Sequence, residues 1–508
     1  YFFWAAWIWI GYPLGLYFFG LGSKKMTEKQ YLGGAKLITK KELKKSLKKA
    51  SEETLFTISG VPIPVGSEVK HTFILGRPGV GKTVLISEIL SNIKPRGKGV
   101  IYDFKGDYLE RFYSPDRDLI FNPLDSRGFN WNLFNEIKTV MDIDAIAHSL
   151  IPSAYNQDTF WISAARDVFS GIIHYCYDKN TLTNEAIWKI VTCDISSIAR
   201  CLHGTVGGEA GYVYIQDASS KQALGVISTL MEYVKWINLL PKGGTSDFSI
   251  SKWLERDDAG WIFITNYSEV KATLKPPLSL FIDLMGRKLL SLRDDPKRRI
   301  FFILDEFGTL QKLTTISDLL TLSRSKGGAV LIGLQDTGQL TRIYGDAGRQ
   351  TLVNACGTSV HFSVADPDTA EFVSKKIGEA RYKEMNETLS MGVSDFKDGI
   401  SLQPSEKTQR LVMPSDLQNL PDLECYVKVP GHFITRTKLD YRKYEGQNVP
   451  FILRDGFEIK AEESVNKETG EVIEVAVVES VKMGEKAPAP SADGGEGIVP
   501  KRGWQVRK

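Results

Sequence analysis

The sequence runs to 508 residues, enough for about two to four domains and a sizeable buried core. With 42% apolar and 25% charged residues it sits near the globular average, which excludes a fibrous, collagenous or low-complexity protein. Five cysteines without CxxC spacing and six histidines without an HxxxH pair argue against a disulfide framework or a Cys/His zinc site, and the net charge of +3 conceals a strong local asymmetry.

Tyr1 to Gly22 is rich in Trp, Tyr and Phe and has no ionisable group except tyrosine. As a helix these residues rise about 33 Å, enough for a bilayer core of about 30 Å, so a transmembrane helix is expected over 1–22. Gly11 and Pro13 lower helix propensity, and the alternative is a buried core helix. The positive charges follow the apolar run instead of preceding it, unlike a secretory signal, and place everything after Ser23 on the cytoplasmic side. Tyr1 is not an initiator methionine, so an upstream part is expected. Residues 24 to 49 hold ten lysines against Glu28 and Glu42, a local +8 that leaves about −5 for the rest. The stretch 23–57 reads as a basic membrane-proximal linker.

Apolar, β-branched runs then recur at Thr72–Leu75, Val100–Asp103, Leu119–Phe121, Trp261–Thr265, Ile300–Leu304, Ala329–Gly333, Ser359–Phe362 and Tyr426–Val429. Helical patterns such as Val84–Leu90, Leu278–Leu290 and Ile316–Ser323 separate them, which predicts an α/β domain with a mainly parallel sheet over 58–135 and 259–456. Between 136 and 258 the periodicity is helical (Ala145, Ile146, Leu150; Val168, Ile172, Ile173), which predicts an inserted all-α domain. Residues 458–496 carry ten acidic and four basic side chains and no aromatic, so 457–508 reads as a disordered tail. Its basic end, with Lys501, Arg502, Trp504, Arg507 and Lys508, is either a docking peptide or an inert terminus.

The strongest chemical signal is Gly76-Arg77-Pro78-Gly79-Val80-Gly81-Lys82-Thr83, a GxxxxGK[ST] loop between an apolar strand and an amphipathic helix. Its glycines let backbone N–H groups turn toward phosphate oxygens. Lys82 would reach the β- and γ-phosphates of ATP, and Thr83 would ligate Mg²⁺. The run Ile300–Leu304 delivers Asp305 and Glu306 to the carboxyl end of a buried strand, where open α/β sheets bind ligands. There Asp305 would hold the Mg²⁺ shell and Glu306 would polarise the attacking water. Arg324 ends a helix and Gln335 follows the next strand. They would act respectively on a neighbouring subunit's γ-phosphate and as a sensor of it; the plain alternative for Arg324 is a solvated group complementing a helix dipole. Asp103 is either a turn cap or an orienting group. Trp131, Phe160 and Trp161 are either core aromatics or stacking platforms for DNA.

These motifs, with Gly33, Gly34 and Leu37, VIYDFKGDY (100–108), NPLDSR (122–127), Trp131 and Leu133, TFW (159–161), LKPPLSL (274–280), SRSKGG, GLQDTGQL (333–340) and LPDLECYVKVPG (420–431), resemble the coupling-protein ATPases of conjugative type IV secretion. That TraD/TrwB-like group is related to the FtsK and HerA translocases. The resemblance runs to about Arg454 and implies a RecA-like, homo-hexameric ATPase using ATP and Mg²⁺, anchored in a bacterial inner membrane with its ATPase domain in the cytoplasm. It would recruit single-stranded DNA with its relaxase and deliver it to the channel components of the secretion system. The family's motif positions fall on Lys82 and Thr83, Asp305 and Glu306, Arg324, and Gln335. Gly308 stands where many relatives have proline, a change expected to be harmless. Two other functions stay open: a docking receptor for effector proteins with no role for nucleic acid, and an FtsK-like double-stranded DNA pump, against which the polar tail argues.

Overall fold

The computed structural model describes residues 29–50, 53–95, 97–155, 158–240, 246, 248–258, 260–390, 399–465 and 472–480. The expected membrane segment lies outside these residues; among the described residues no helix is long and apolar enough to cross a membrane. The chain divides into two compact units after Ile452.

In the first unit β1 (Gln30–Gly34), β2 (Leu37–Ile38), α1 (Lys40–Ala50), β3 (Thr54–Ile58), β4 (Val61–Pro64) and β5 (Thr72–Leu75) lead to α2 (Lys82–Ile93), β6 (Lys98–Asp103), α3 (Asp107–Phe112) and β7 (Leu119–Phe121). Up to β8 (Trp261–Thr265) the described residues then form helices and no strand: α4 (Val140–Leu150), α5 (Thr159–Asp178), α6 (Asn184–Val191), α7 (Ile195–Leu202), α8 (Glu209–Ile215), α9 (Lys221–Val234) and α10 (Ile250–Glu255). Local sequence sets their starts: Asp158, Thr183, Asp194 and Ser220 each cap a helix by accepting a backbone N–H. After β8 come α11 (Lys271–Leu290), β9 (Ile300–Leu304), α12 (Ile316–Leu322), β10 (Gly328–Leu334), α13 (Gly338–Ala355), β11 (Thr358–His361), α14 (Pro367–Ile377), β12 (Glu379–Ser390), β13 (Gly399–Arg410), α15 (Pro414–Gln418), β14 (Glu424–Lys428) and β15 (Ile434–Lys438).

Ten strands make one sheet in the order β2-β15-β14-β11-β5-β10-β9-β6-β8-β7. The sheet is mainly parallel, as expected, and mixed at one side, because β14 runs antiparallel to both β11 and β15. β5, β6, β8, β9 and β10 are buried at every position, as strands covered on both faces must be, and this is why their sequences are uninterrupted apolar runs. The helical stretch is fastened to the β7 edge by aromatics. Phe121 of β7 stacks on Phe281 of α11 at 4.2 Å, and Trp131, itself fully buried, meets Phe281 edge-on and stacks on Trp236. Core packing, not DNA stacking, is therefore where the structure puts Trp131, whereas Phe160 is exposed and packs edge-on against Trp161.

Two expectations are corrected. Over its described part the supposed linker 23–57 is an integral edge of the fold: β1 pairs with β12, β2 with β15, and α1 buries Leu43 and Leu47 in the main core. Those two leucines, four apart, share one helix face, and burying each stabilises the contact by about 1.5–3 kcal/mol. Lys41, Lys45, Lys48 and Lys49 are left outside. In the second unit, part of the supposed disordered tail is a strand pair, β16 (Phe457–Val465) antiparallel to β17 (Val472–Ser480). Its β-branched residues, Val472, Ile473, Val475, Val477 and Val478, favour a pleated chain despite the acidic neighbours. Residues 481–508 of that tail lie outside the described residues.

Candidate functional site

β5 ends at Leu75 and the chain turns at once into the glycine loop that starts α2 at Lys82. Gly81 has φ +114°, and a Cβ there would lie 2.9 Å from Leu423 Cδ2; at Gly76 one would lie 2.6 Å from Phe362 Cβ. The loop is thus shaped from both sides, and side chains are disfavoured by conformation and contact at Gly81 and by contact at Gly76. Its crest, Arg77 to Gly79, is exposed. Its flanks are held: Gly76 N–H donates to the Leu334 carbonyl at 3.1 Å, Arg77 N–H to the Ser363 carbonyl at 2.8 Å, and the Val80 carbonyl accepts from Leu423 N–H at 2.9 Å. The Arg77 guanidinium pairs with Asp422 at 3.0 Å.

β10 lies between β5 and β9 and is parallel to both, so the carboxyl ends of the three strands are aligned. This brings Lys82, Thr83, Asp305 and Glu306 to one cavity of about 160 Å³, which Pro78, Gly79, Asp103 and Lys105 also line. Lys82 is buried, donates through Nζ to the Gly76 carbonyl and, at 3.4 Å, to that of Arg77, and lies 3.9 Å from Glu306 Oε1. Burial holds its ammonium below the usual lysine range, opposed by the charges of Glu306 and Asp305. Asp305, at the end of β9, is pushed up to about 6 by burial, against which the hydrogen bond from Tyr108 acts. Glu306 adopts φ +52°, a strained conformation for a residue with a side chain, and its buried Oε2 has no hydrogen-bond partner among the described residues. A buried carboxylate oxygen without a donor is destabilising by about 1–3 kcal/mol or more, and an incoming donor such as water relieves it. Asp103 accepts from the N–H groups of Gly106, Tyr108 and Leu109 at 2.8 to 3.0 Å, so it caps the start of α3 while lining the cavity, and burial pushes it up to about 7.

Gln335 is half-buried directly after β10, between the two strand ends that carry the loop and the acids. Arg324 is not at this site. It is exposed just before β10, at the opposite end of that strand, about 23 Å away along seven residues of extended chain. Three residues at the site escaped the sequence reading. Tyr108, buried, donates its hydroxyl to Asp305 Oδ2 at 2.9 Å and is hydrogen-bonded to Thr83, so it bridges the two groups read as Mg²⁺ ligands. Asp422 and Leu423 brace the glycine loop. Only their places inside VIYDFKGDY and LPDLECYVKVPG marked them. At Gly308 a Cβ would lie 2.1 Å from Gln339 Oε1 and 2.8 Å from its Cβ, so the Gln339 side chain would have to shift to admit a larger residue.

Strand, glycine loop, helix and adjacent acidic strand end define the P-loop class of α/β proteins. Residues 55–440 match the family described as type IV secretion-system coupling protein DNA-binding domain. The chain is 30% identical over 446 residues to coupling protein TraD of Escherichia coli K12, covering 86% of this chain and 62% of TraD. It is 25% identical over 409 residues to protein VirD4 of Rhizobium radiobacter, covering 74% and 57% respectively. The solved bacterial conjugative coupling protein TrwBdeltaN70 superposes with a TM-score of 0.74 at 28% identity, over 84% of this chain and 97% of that one. TrwB has also been solved with the ATP analogue ADPNP and with ADP and Mg²⁺. This chain belongs to the TrwB/TraD/VirD4 family of type IV secretion coupling proteins. It spans about three fifths of the length of the curated relatives it matches.

Proposed function

We propose that the chain is the motor part of a membrane-anchored, hexameric ATPase that recruits a relaxase–DNA complex and drives single-stranded DNA into a type IV secretion channel. The observation that carries this reading is the meeting of Lys82, Asp305 and Glu306 at the aligned ends of β5, β10 and β9 in a coupling-protein chain. ATP and Mg²⁺ fit the residues present: a buried lysine under a glycine loop, a hydroxyl and a carboxylate bridged by Tyr108, and an orphaned carboxylate oxygen. Mg²⁺, when bound, would neutralise charge on the phosphates. Lys82 and the loop amides would bind the phosphates, Thr83 and Asp305 would hold the cation, and Glu306 Oε2 would accept a hydrogen bond from the attacking water and orient it. Gln335 stands where it would report the state of its own site. Arg324, exposed and far from that site, would serve a neighbour's.

The test is hydrolysis by the chain with and without single-stranded DNA across a salt series. Stimulation should weaken as salt rises, with a log-log binding slope of about −0.7 per phosphate neutralised. Lys82→Ala and Glu306→Gln should both abolish turnover, but Glu306→Gln should keep nucleotide affinity. Hydrolysis with no response to DNA at low salt would hand the function to the effector-docking reading. Equal loss of affinity in the two variants would refute the residue roles.

A further inference from the structure

Away from the P-loop, at the β2 edge of the sheet, a cavity of about 540 Å³ lies among the β1–β2 turn, α1, the end of α14 and the turn joining β14 to β15. Lys36, Lys376, Lys428 and His432 line it, and Glu379 is its one acidic residue. Lys376 Nζ donates to the Val353 carbonyl at 2.6 Å and Lys428 Nζ to the Lys376 carbonyl at 3.0 Å, and among the described residues neither ammonium has a carboxylate partner. Burial draws both lysines below the usual range, Lys376 to about 8, and the charge of Lys428 adds to the shift at Lys376. Two half-buried lysines thus line one cavity, and the one carboxylate there, Glu379, pairs with neither. Ser46 of α1, hydrogen-bonded to His432 Nδ1 at 2.7 Å, carries the lining onto the helix, where exposed Lys45 and Lys49 flank it.

The border of the cavity is apolar and exposed. Leu37 is 43% and Phe433 46% accessible, and Leu37 pairs in the sheet with Ile434, the residue next to Phe433. A nucleic-acid strand offers phosphates and a base to stack on Phe433 but no aliphatic group for Leu37, whereas a lipid offers a phosphate and an acyl chain that suits both side chains. Position agrees, in a step that rests on the membrane-anchor reading: Gly34 follows Gly22 by about twelve residues, which reach at most about 40 Å even when fully extended. Basic clusters beside a membrane helix are drawn to anionic leaflets. We propose that this cavity, with Lys45 and Lys49 of α1, is a docking site for the phosphate headgroup of an anionic phospholipid, with Leu37 and Phe433 against its acyl chains.

The experiment places the full chain in lipid nanodiscs of phosphatidylcholine, alone or with phosphatidylglycerol, and reads the acetylation rate of each lysine by peptide mass. Lys36, Lys376 and Lys428 should react several-fold more slowly in the phosphatidylglycerol discs, reverting at high salt, while exposed Lys189 is unchanged. Lys376→Gln with Lys428→Gln, and separately Lys45→Gln with Lys49→Gln on the exposed helix face, should each weaken the salt-sensitive association by about 30-fold. The second pair is exposed, with no side-chain hydrogen bond or ion pair among the described residues, and guards against misfolding of the first. Equal acetylation in the two discs overturns the proposal. Equal protection by inorganic phosphate in phosphatidylcholine discs overturns it in favour of a small-anion site, and protection there by a single-stranded oligonucleotide overturns it in favour of nucleic acid. If the chain does not enter discs, the anchor reading fails by itself. Salt-sensitive flotation with preformed phosphatidylglycerol vesicles would then still support the docking site, and its absence would overturn it.

Discussion

Replacing Tyr108 by phenylalanine removes a single oxygen that supports Asp305 of the P-loop site and leaves the ring in its packing. The hydroxyl donates to Asp305 Oδ2 at 2.9 Å and is hydrogen-bonded to Thr83, and the side chain is 1% exposed, so water does not readily substitute. A hydrogen bond to a charged group contributes about 1.5–3 kcal/mol, which is roughly 10- to 150-fold in an equilibrium. The loss falls on the two groups proposed to hold Mg²⁺, so the Mg²⁺ concentration for half-maximal hydrolysis should rise at least about tenfold. Nucleotide affinity measured without Mg²⁺ should not change. The pH profile supplies a second readout. Asp305 sits at about 6 with the Tyr108 bond lowering it, so without that bond its carboxyl moves further up. Protons and the cation compete for this carboxylate, so at limiting Mg²⁺ the acid limb of Tyr108→Phe should lie at higher pH than that of the wild type. An unchanged Mg²⁺ requirement with an unchanged acid limb would refute the bridging role.

Arg324→Ala should be inactive alone and partly restored on mixing with inactive Lys82→Ala, because some interfaces then join an intact loop to an intact arginine; no recovery at any ratio would sink the action in trans. Gly308→Pro should lower the melting temperature and activity together, since its Cβ would overlap Gln339, and a wild-type melting curve would show that Gln339 moves aside freely. His361 is fully buried, neither ring nitrogen has a hydrogen-bond partner among the described residues, and burial lowers its pKa to about 3. The unfolded imidazole takes up a proton below about 6.5 that the fold refuses, so stability falls as pH drops from there toward 3. His361→Phe should flatten that fall by on the order of a few kcal/mol without loss at pH 7, and denaturant titrations across the window measure it.

The central strands and the glycine loop were legible because burial on both faces forces unbroken apolar runs, and because phosphate chemistry forces glycines at fixed spacing. What stayed hidden was set by contacts between distant residues or masked by charge. In α1 the lysines obscured a two-leucine face, Leu43 and Leu47, that is sufficient to seat a helix. β12 and β13 are polar strands stabilised by each other along their whole length, so no apolar pattern betrays them. Tyr108 meets Asp305 across nearly 200 residues of chain, and a tyrosine in a motif does not announce where its hydroxyl goes. Arg324 was readable as a candidate, but only the placement of β10 separates it from its own subunit's site.

The bracing of the glycine loop from late in the sequence also has a meaning in time. Val80 and Gly81 are packed by Leu423, and Arg77 is held by Ser363 and Asp422. During synthesis, about 340 residues separate the emergence of the loop from that of the segment that completes it. At about 5–20 residues per second this is an interval of roughly 20–70 s. Throughout it the nascent chain carries the loop's sequence without its finished shape. The last braces of the loop thus emerge only after eight of the ten strands of the main sheet, so the loop's shape is set by the late part of the chain and not by its own motif.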